Sequence, residues 1–222
     1  MTDEELRTII VDKLCWDDRA NTSEVNVIVN NSKVTLTGTV SSSRAKRIVE
    51  EDVREVVGIL KINNQLWVQY LPMTPVLTDE EVASNVVNSL ARNPDIDDNK
   101  IDVSVIGGLL TLHGTVDAFW KKFQAEDIAY GITGVIDVIN ELAVVPTKDA
   151  RDEEIAKSIE NALESNMDVE AEDVNVIVEN SRVSLIGFVP NWAAWRAAHN
   201  TASYTTGVTM VVDKLAIRYP EN

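Results

Sequence analysis

Few side chains in this 222-residue chain are suited to bond-making chemistry, so the first question is whether any of them stand together. There is one cysteine, Cys15, and there are two histidines, His113 and His199. A nucleophile needs an adjacent base, and a zinc site needs three or four nitrogen or sulfur ligands. One Cys and two separated His give little support to either. The lone Cys15 permits no intrachain disulfide and fits a reducing compartment. Oxygen ligands are more plentiful. Asp17 and Asp18, then Asp95, Asp97 and Asp98, then Asp168, Glu170, Glu172 and Asp173 form acidic loops of the kind that could hold a hard cation. In "DIDDNK", however, Lys100 stands where a calcium loop of the EF-hand kind needs glycine, and Ile106 stands where it needs glutamate. These loops read as solvated acidic turns. No glycine-rich phosphate loop is present. The chain is therefore read as non-enzymatic, with no cofactor and no metal.

Charge narrows the partners. With 20 basic and 36 acidic residues the chain carries −16 at neutral pH, a field that repels phosphate backbones and argues against nucleic acid. Anionic lipid headgroups are disfavoured for the same reason, unless a local basic patch or apolar insertion overrides the global field. No apolar run approaches the roughly 20 residues that cross a bilayer. The start, "MTDEELRTII", lacks the basic and apolar regions of a secretory signal. The expectation is a cytoplasmic protein, or a periplasmic one if the chain is a trimmed or processed form.

The elements that would position any site repeat along the chain. "VTLTGTV" at Val34 to Val40 returns as "LTLHGTV" at Leu110 and as "VSLIGFV" at Val183. Gly38, Gly114 and Gly187 are 76 and 73 residues apart, and Gly58, Gly134 and Gly207 keep the same separations. Such a period is too long for one turn of a solenoid, so each copy is a small domain. "TDEEL" and "TDEEV" begin helices in which Thr2 or Thr78 caps and the glutamate three residues on bonds back. In the third copy Arg151 replaces the threonine, and the cap is expected to move to Asp149 or Asp152.

Four-residue spacing buries Leu6, Ile10 and Leu14, then Val82, Val86 and Leu90, then Ile155, Ile159 and Leu163. Alternating strands joined by "NNSK", "IGGL" or "ENSR" are hairpins. A second helix buries the columns Val49, Ala125, Ala198 and Val53, Ala129, Ala202, ends at the second glycine, and is followed by a last strand. The first repeat glycine ends a strand where backbone must approach closely. The fold expected is α+β: three tandem αββαβ domains over residues 1–71, 72–146 and 147–222. His113 aligns with Thr37 and Ile186, so the scaffold does not need it. His199 aligns with Glu50 and Glu126 and reads as a variable solvent-side position. Short linkers bearing proline, "QYLPMTPVL" and "VVPTKDA", favour defined packing of the copies.

The pattern "G-T-V", helix, "G-V-x-x-V-x-N-x-L" resembles the BON domain, the bacterial osmotically inducible and nodulation module. Copy two matches best, with "NPDIDDNKIDVSVIGGLLTLHGTV" and "GVIDVINEL". Copy three departs at Pro190 and at Asp213, where the pattern has Asn, and copy one has Ile59 after its glycine. The resemblance implies a mixed three-stranded sheet with two helices on one face, and a non-catalytic module linked to membranes or stress. Many members are exported and bind phospholipid. Some cytoplasmic members join a peptidoglycan-binding motif and are linked to potassium.

One set of residues departs from the repeat. Copy one opens its second helix with Ser43, Arg44 and Arg47, which should face solvent, whereas copy two has Phe119, Trp120 and Phe123 in those places. Copy three has Trp192 and Trp195 nearby. Rings outside a unit's own core mark an interface. Phe119, Trp120, Phe123, Trp192 and Trp195 are thus the candidate lipid- or partner-binding residues. One expectation is a membrane-associated module that inserts these rings beside Lys121, Lys122 and Arg196 into a phospholipid surface in a stress or envelope role. The alternatives are a structural or protein-interaction adaptor, whose rings pack the copies together or meet a protein partner, and a cytoplasmic cation-responsive protein.

Overall fold

A computed structural model describes residues 1–56, 58–69, 77–146, 151–166 and 169–218. Copy one comprises α1 (Asp3–Trp16), β1 (Val25–Asn30), β2 (Lys33–Val40), α2 (Ser43–Arg54) and β3 (Lys61–Val68). Copy two follows with α3 (Asp79–Ala91), β4 (Ile101–Ile106), β5 (Leu109–Val116), α4 (Phe119–Tyr130) and β6 (Asp137–Val144). Copy three has α5 (Asp152–Glu164), β7 (Val174–Glu179), β8 (Arg182–Val189), α6 (Trp192–Tyr204) and β9 (Met210–Ile217). The expected α+β order is present in all three copies. Each has its own three-stranded mixed sheet, ordered β1-β2-β3, β4-β5-β6 and β7-β8-β9. In copies one and three the central strand runs antiparallel to the first strand and parallel to the last. The crossover helix makes that parallel pairing possible.

Local chemistry explains each start and turn. The Glu5 N–H donates to Thr2 Oγ1 at 3.2 Å while the Thr2 N–H donates to Glu5 Oε2 at 2.8 Å, and Thr78 and Glu81 repeat the box at 3.3 and 2.8 Å. In copy three Arg151 is the N-cap residue and makes no side-chain cap. Asp149 lies outside the described residues. Asp152 does not cap, because its carboxylate is occupied elsewhere: it accepts the N–H groups of Asn180 and Ser181, at 2.7 and 2.8 Å. Asp3 holds Asn31 and Ser32 in the same way, and Asp79 holds Gly107 and Gly108. Those turn pairs all have positive φ, the two-residue hairpin geometry that matches strand twist. The first aspartate of each copy thus ties its first helix to its hairpin.

The repeat glycine behaves as its position suggests. A Cβ on Gly38, Gly114 or Gly187 would collide with the backbone carbonyl of Glu24, Lys100 or Asp173, just before the first strand. Each also has a positive φ, between 111° and 143°. Behind this hairpin Leu6, Ile10 and Leu14 pack with Val34, Leu36, Val49 and Val53 in copy one. Ile155, Ile159 and Leu163 pack with Val183, Leu185, Ala198 and Ala202 in copy three. The sheet face away from these helices carries the alternate residues.

The chain condenses into two compact units that cut across the repeat. One contains Met1–Val86, Ser104–Leu110 and Asp127–Ile139, and the other contains Val87–Val103, Thr111–Glu126 and Asn140–Asn222. Both proline-bearing linkers fall largely outside the described residues. No helix among the described residues is long and apolar enough to cross a membrane.

Candidate functional site

In the second unit Phe119, Phe123, Trp195 and Trp192 are linked through His199, and Trp120 makes a separate stack on Tyr204. Phe119, at the first turn of α4, is only 8% exposed and belongs to the same buried cluster as Ile155, Leu163, Ala198 and Val208 of copy three. Its ring meets Phe123 edge-on at 5.0 Å, and Phe123 in turn meets His199 at 6.1 Å. Trp195 lies flat on His199, 5.1 Å away with 8° between the planes, and Trp192 meets Trp195 edge-on at 5.2 Å. Trp120 stacks on Tyr204 at 5.9 Å, with Lys121 Nζ 5.6 Å from its ring. Edge-on and offset contacts at these distances are favourable beyond the area they bury. Phe123 keeps 44% of its surface exposed, and Trp120, Trp192 and Trp195 are half-buried.

The first unit uses the same helical columns with different chemistry. Ser43 and Arg47 were expected to face solvent; Ser43 is buried instead, and Arg47 is partly covered. Ser43 is 1% exposed, and its Oγ donates to the Val135 carbonyl at 2.7 Å. The Arg47 guanidinium lies 4.8 Å over the Tyr130 ring and 3.5 Å from Asp127. Copy two presents a carbonyl, a phenol and a carboxylate there, so a hydroxyl and a guanidinium are the complementary groups. Arg44 is exposed, as expected. Positions 43 and 119, and likewise 47 and 123, therefore serve two successive contacts, one polar and one aromatic.

Two acids stand out, Asp52 buried and Asp213 half-buried. Asp52 on α2 is 4% exposed and accepts from Arg19 Nη2 at 3.2 Å, while Asp17 is clasped by the same guanidinium. Burial and the adjacent Asp17 carboxylate push the Asp52 carboxyl up to about 6, against the pull of Arg19. Asp17 is shifted well below the usual carboxylate range by its hydrogen bonds from Arg19. In the second acidic loop Asp97 pairs with Lys100 at 3.0 Å. Asp168 lies outside the described residues. Among the described residues no three His, Cys, Asp or Glu converge on one point.

The second acid is Asp213. In copy one Asn64 Nδ2 donates to Glu50 Oε2 at 2.9 Å, and its Oδ1 accepts from the Leu66 N–H at 3.1 Å. In copy two Asn140 does the same with Glu126 and Leu142, at 2.9 and 3.2 Å. In copy three Asp213 Oδ1 still accepts from the Leu215 N–H at 2.8 Å, but the helix partner is now His199. His199 Nδ1 lies 3.8 Å from Asp213 Oδ2, and both atoms are buried without a hydrogen-bond partner. His199 is therefore no solvent-side variant: its side chain is 21% exposed and faces the strand. Burial holds its imidazole below the usual range, with Asp213 pulling the other way. The signal was legible in the sequence, because Glu50 to Asn64, Glu126 to Asn140 and His199 to Asp213 are each 14 residues apart. His113, by contrast, is an exposed strand residue 3.7 Å from Glu141.

The open sheet faces differ as well. Copy one presents Thr35, Thr37 and Thr39 on β2 beside Asn63, Gln65 and Trp67 on β3. At the matching places copy three presents Ser184, Ile186 and Phe188 beside Val212, Lys214 and Ala216. Ile177, Phe188 and Met210 are 40, 43 and 41% exposed on this face. The Arg218 guanidinium lies 3.8 Å over the Phe188 ring. Arg182, Lys214 and Arg218 oppose a single acid, Glu179, on the same alternation.

The sequence profile of the BON domain matches the chain at residues 2–70, 78–146 and 151–219. The chain is 30% identical over 141 residues to the outer membrane lipoprotein DolP of Haemophilus influenzae, across 61% of this chain and 72% of that protein. It is 28% identical over 139 residues to a 21 kDa hemolysin of Actinobacillus pleuropneumoniae, across 60 and 71%. It is 24% identical over 145 residues to osmotically-inducible protein Y of Escherichia coli, across 64 and 72%. These relatives correct the cytoplasmic expectation, since one of them is by name an outer-membrane lipoprotein. The acidic start from which that expectation came reports the capping box of α1, which any compartment can host.

Proposed function

The chain belongs to the BON domain family, in three copies, and from that premise we propose that it is a non-catalytic binding module of the cell envelope. It meets phospholipid surfaces through the open sheet face of copy three. The observation that carries this reading is the mixture on that face: Ile177, Ile186, Phe188, Met210 and Val212 among three cations and one acid, in a chain of net charge −16. Apolar insertion and a basic rim are the two conditions under which an acidic protein can hold an anionic membrane. Each Lys or Arg near such a surface contributes about 1 kcal/mol. Repulsion from acidic groups farther than roughly 8 Å is screened at physiological salt. Arg218 over Phe188 lets a ring enter the interface while its charge stays at headgroup level.

The rings of α4 and α6 support a second role. The burial of Phe119 among copy-three core residues favours Phe119, Trp120, Phe123, Trp192 and Trp195 as packing between copies over insertion into lipid.

Flotation of the full chain with vesicles of phosphatidylcholine, with and without phosphatidylglycerol, tests the proposal. Replacing Ile186→Thr, Phe188→Thr and Val212→Asn installs the copy-one residues at these places, which the scaffold already accepts. The expected result is flotation with the anionic vesicles only, weakened by salt and lost in the triple variant. Absence of flotation with any vesicle would end the membrane reading and leave the adaptor. Equal flotation of the variant would move the contact to another surface.

A further inference from the structure

We infer that this chain associates head to tail with further copies of itself, through a third use of the contact that already joins its domains: the start of α6 in one chain meets the end of α2 in the next. This goes beyond the membrane reading and does not depend on it. Within the first unit, the start of α2 meets the end of α4 and the turn after it at three places. The Ser43 hydroxyl donates to the Val135 carbonyl at 2.7 Å, a Cβ on Gly131 would meet Arg44 Nη1 at 3.7 Å, and Arg47 pairs with Asp127 at 3.5 Å. Within the second unit, the start of α4 meets the end of α6 in the same columns. Phe119 shares a buried cluster with Val208, Trp120 stacks on Tyr204, and Phe123 meets His199. Shifted by the repeat spacings of 76 and 73, positions 119, 120 and 123 fall on 43, 44 and 47, and positions 208 and 204 fall on 135 and 131. His199 falls on Glu126, next to Asp127. One pairing of columns is thus used twice, first with polar and then with aromatic groups.

A contact between two unlike faces can be continued from chain to chain, because a row of three copies ends with one face of each kind. Copy three carries the first face, with Trp192, Ala193 and Arg196 at the places of Ser43, Arg44 and Arg47; Ala193 and Arg196 are exposed and Trp192 is half-buried. Copy one carries the second, with Glu51, Arg54, Glu55 and Ile59 at the places of Asp127, Tyr130, Gly131 and Val135; Glu51 and Glu55 are exposed. The two faces match in charge and in size. Arg196 opposite Glu51 repeats the arginine and carboxylate of Arg47 and Asp127. The present partner of Glu51 is Arg47 at 3.5 Å, longer than the about 2.8 Å of a charge-assisted hydrogen bond, so the carboxylate has room for a second guanidinium. The outcome is an alternating row, Arg196 of one chain followed by Glu51, Arg47 and Asp127 of the next. Glu55, where copy two has glycine, falls opposite Ala193, the smallest residue in a column that otherwise holds Arg44 and Trp120. Trp192 is set toward Ile59 as Phe119 is toward Val208. Arg54 falls beside that indole, since the Tyr130 carbonyl at its place accepts from Ser43 at 3.4 Å, and a guanidinium against an indole is a favourable pair. Glu50 neutralises Arg54, so it does not oppose Arg196.

The test is sedimentation velocity of the full chain over a wide range of concentration, without vesicles, at physiological salt, where repulsion beyond roughly 8 Å is screened. The average mass of the wild type is expected to rise with concentration. Arg196→Glu sets a like charge against Glu51, and Glu51→Arg sets one against Arg196, so each variant alone is expected to stay at the mass of one chain. Mixing the two variants puts opposite charges together at every contact, and association is expected to return. Ala193→Glu adds bulk and negative charge in front of Glu51 and Glu55. It lies exposed in the first turn of α6, where an acid suits the helix dipole, so its expected loss of association is not a folding defect. A wild type that keeps the mass of one chain at every concentration would overturn the inference. So would an Ala193→Glu variant that associates like the wild type, or a mixture of the two charge variants that stays at the mass of one chain while both keep the wild-type far-UV circular dichroism.

Discussion

Asp52 stands where copies two and three have Ile128 and Thr201, and that single exchange puts a titrating acid into one core and not into the others. Its folded carboxyl is raised to about 6, above the unfolded value. The contribution to stability is therefore complete in acid and lost as pH rises through about 6. Asp52→Asn keeps the shape and removes the titration. The melting temperature of the variant is expected to exceed that of the wild type at pH 7.5, by a few degrees for about 1 kcal/mol, and the gap should close toward pH 5. Scanning calorimetry at the two values checks this, and a gap independent of pH would contradict it. At the same scale, Gly114→Ala combines a φ of 122° with a backbone collision. It should cost roughly 2–4 kcal/mol, read as a lower midpoint in urea.

Among the elements, the link between first helix and hairpin is the recurring device. Asp79→Ala leaves the Gly107 and Gly108 N–H groups without their carboxylate, and since the turn is partly exposed the expected cost is about 1 kcal/mol by urea titration. Phe119→Ser removes a ring from the copy-three cluster and should cost roughly 3 kcal/mol while far-UV circular dichroism stays unchanged. A full-strength melting transition in that variant would show the ring to be dispensable for packing. The helices, hairpins and buried columns were legible because each depends on residues within a few positions of one another. Leu6, Ile10 and Leu14 announce a face, and "IGGL" announces a turn. What covers a face is a non-local fact, and there the reading failed. Ser43 and Arg47 look like solvent residues until Val135, Tyr130 and Asp127 are placed against them. His199 looked variable because its departure and that of Asp213 were read separately, although a helix and a strand 14 residues apart are in contact in every copy.

At the scale of the whole chain, three copies of one scaffold have been given different exposed surfaces. Copy one offers a threonine, asparagine and glutamine sheet face that also exposes Ile28 and Trp67, and copy three offers a more continuous apolar one with a cationic rim, inside a strongly acidic protein. The aromatic residues that drew attention in the sequence lie on helices, where Phe119 is already covered. The membrane proposal rests instead on Phe188 and its neighbours. It is tested most directly by an environment-sensitive dye at one sheet position at a time, in a Cys15→Ser background: Phe188→Cys on copy three, and Thr39→Cys at the matching place on copy one. With vesicles containing phosphatidylglycerol, the dye at position 188 is expected to shift to the blue and the dye at position 39 to stay unchanged. No shift at 188, or an equal shift at both positions, would contradict the claim that copy three carries the membrane-facing surface.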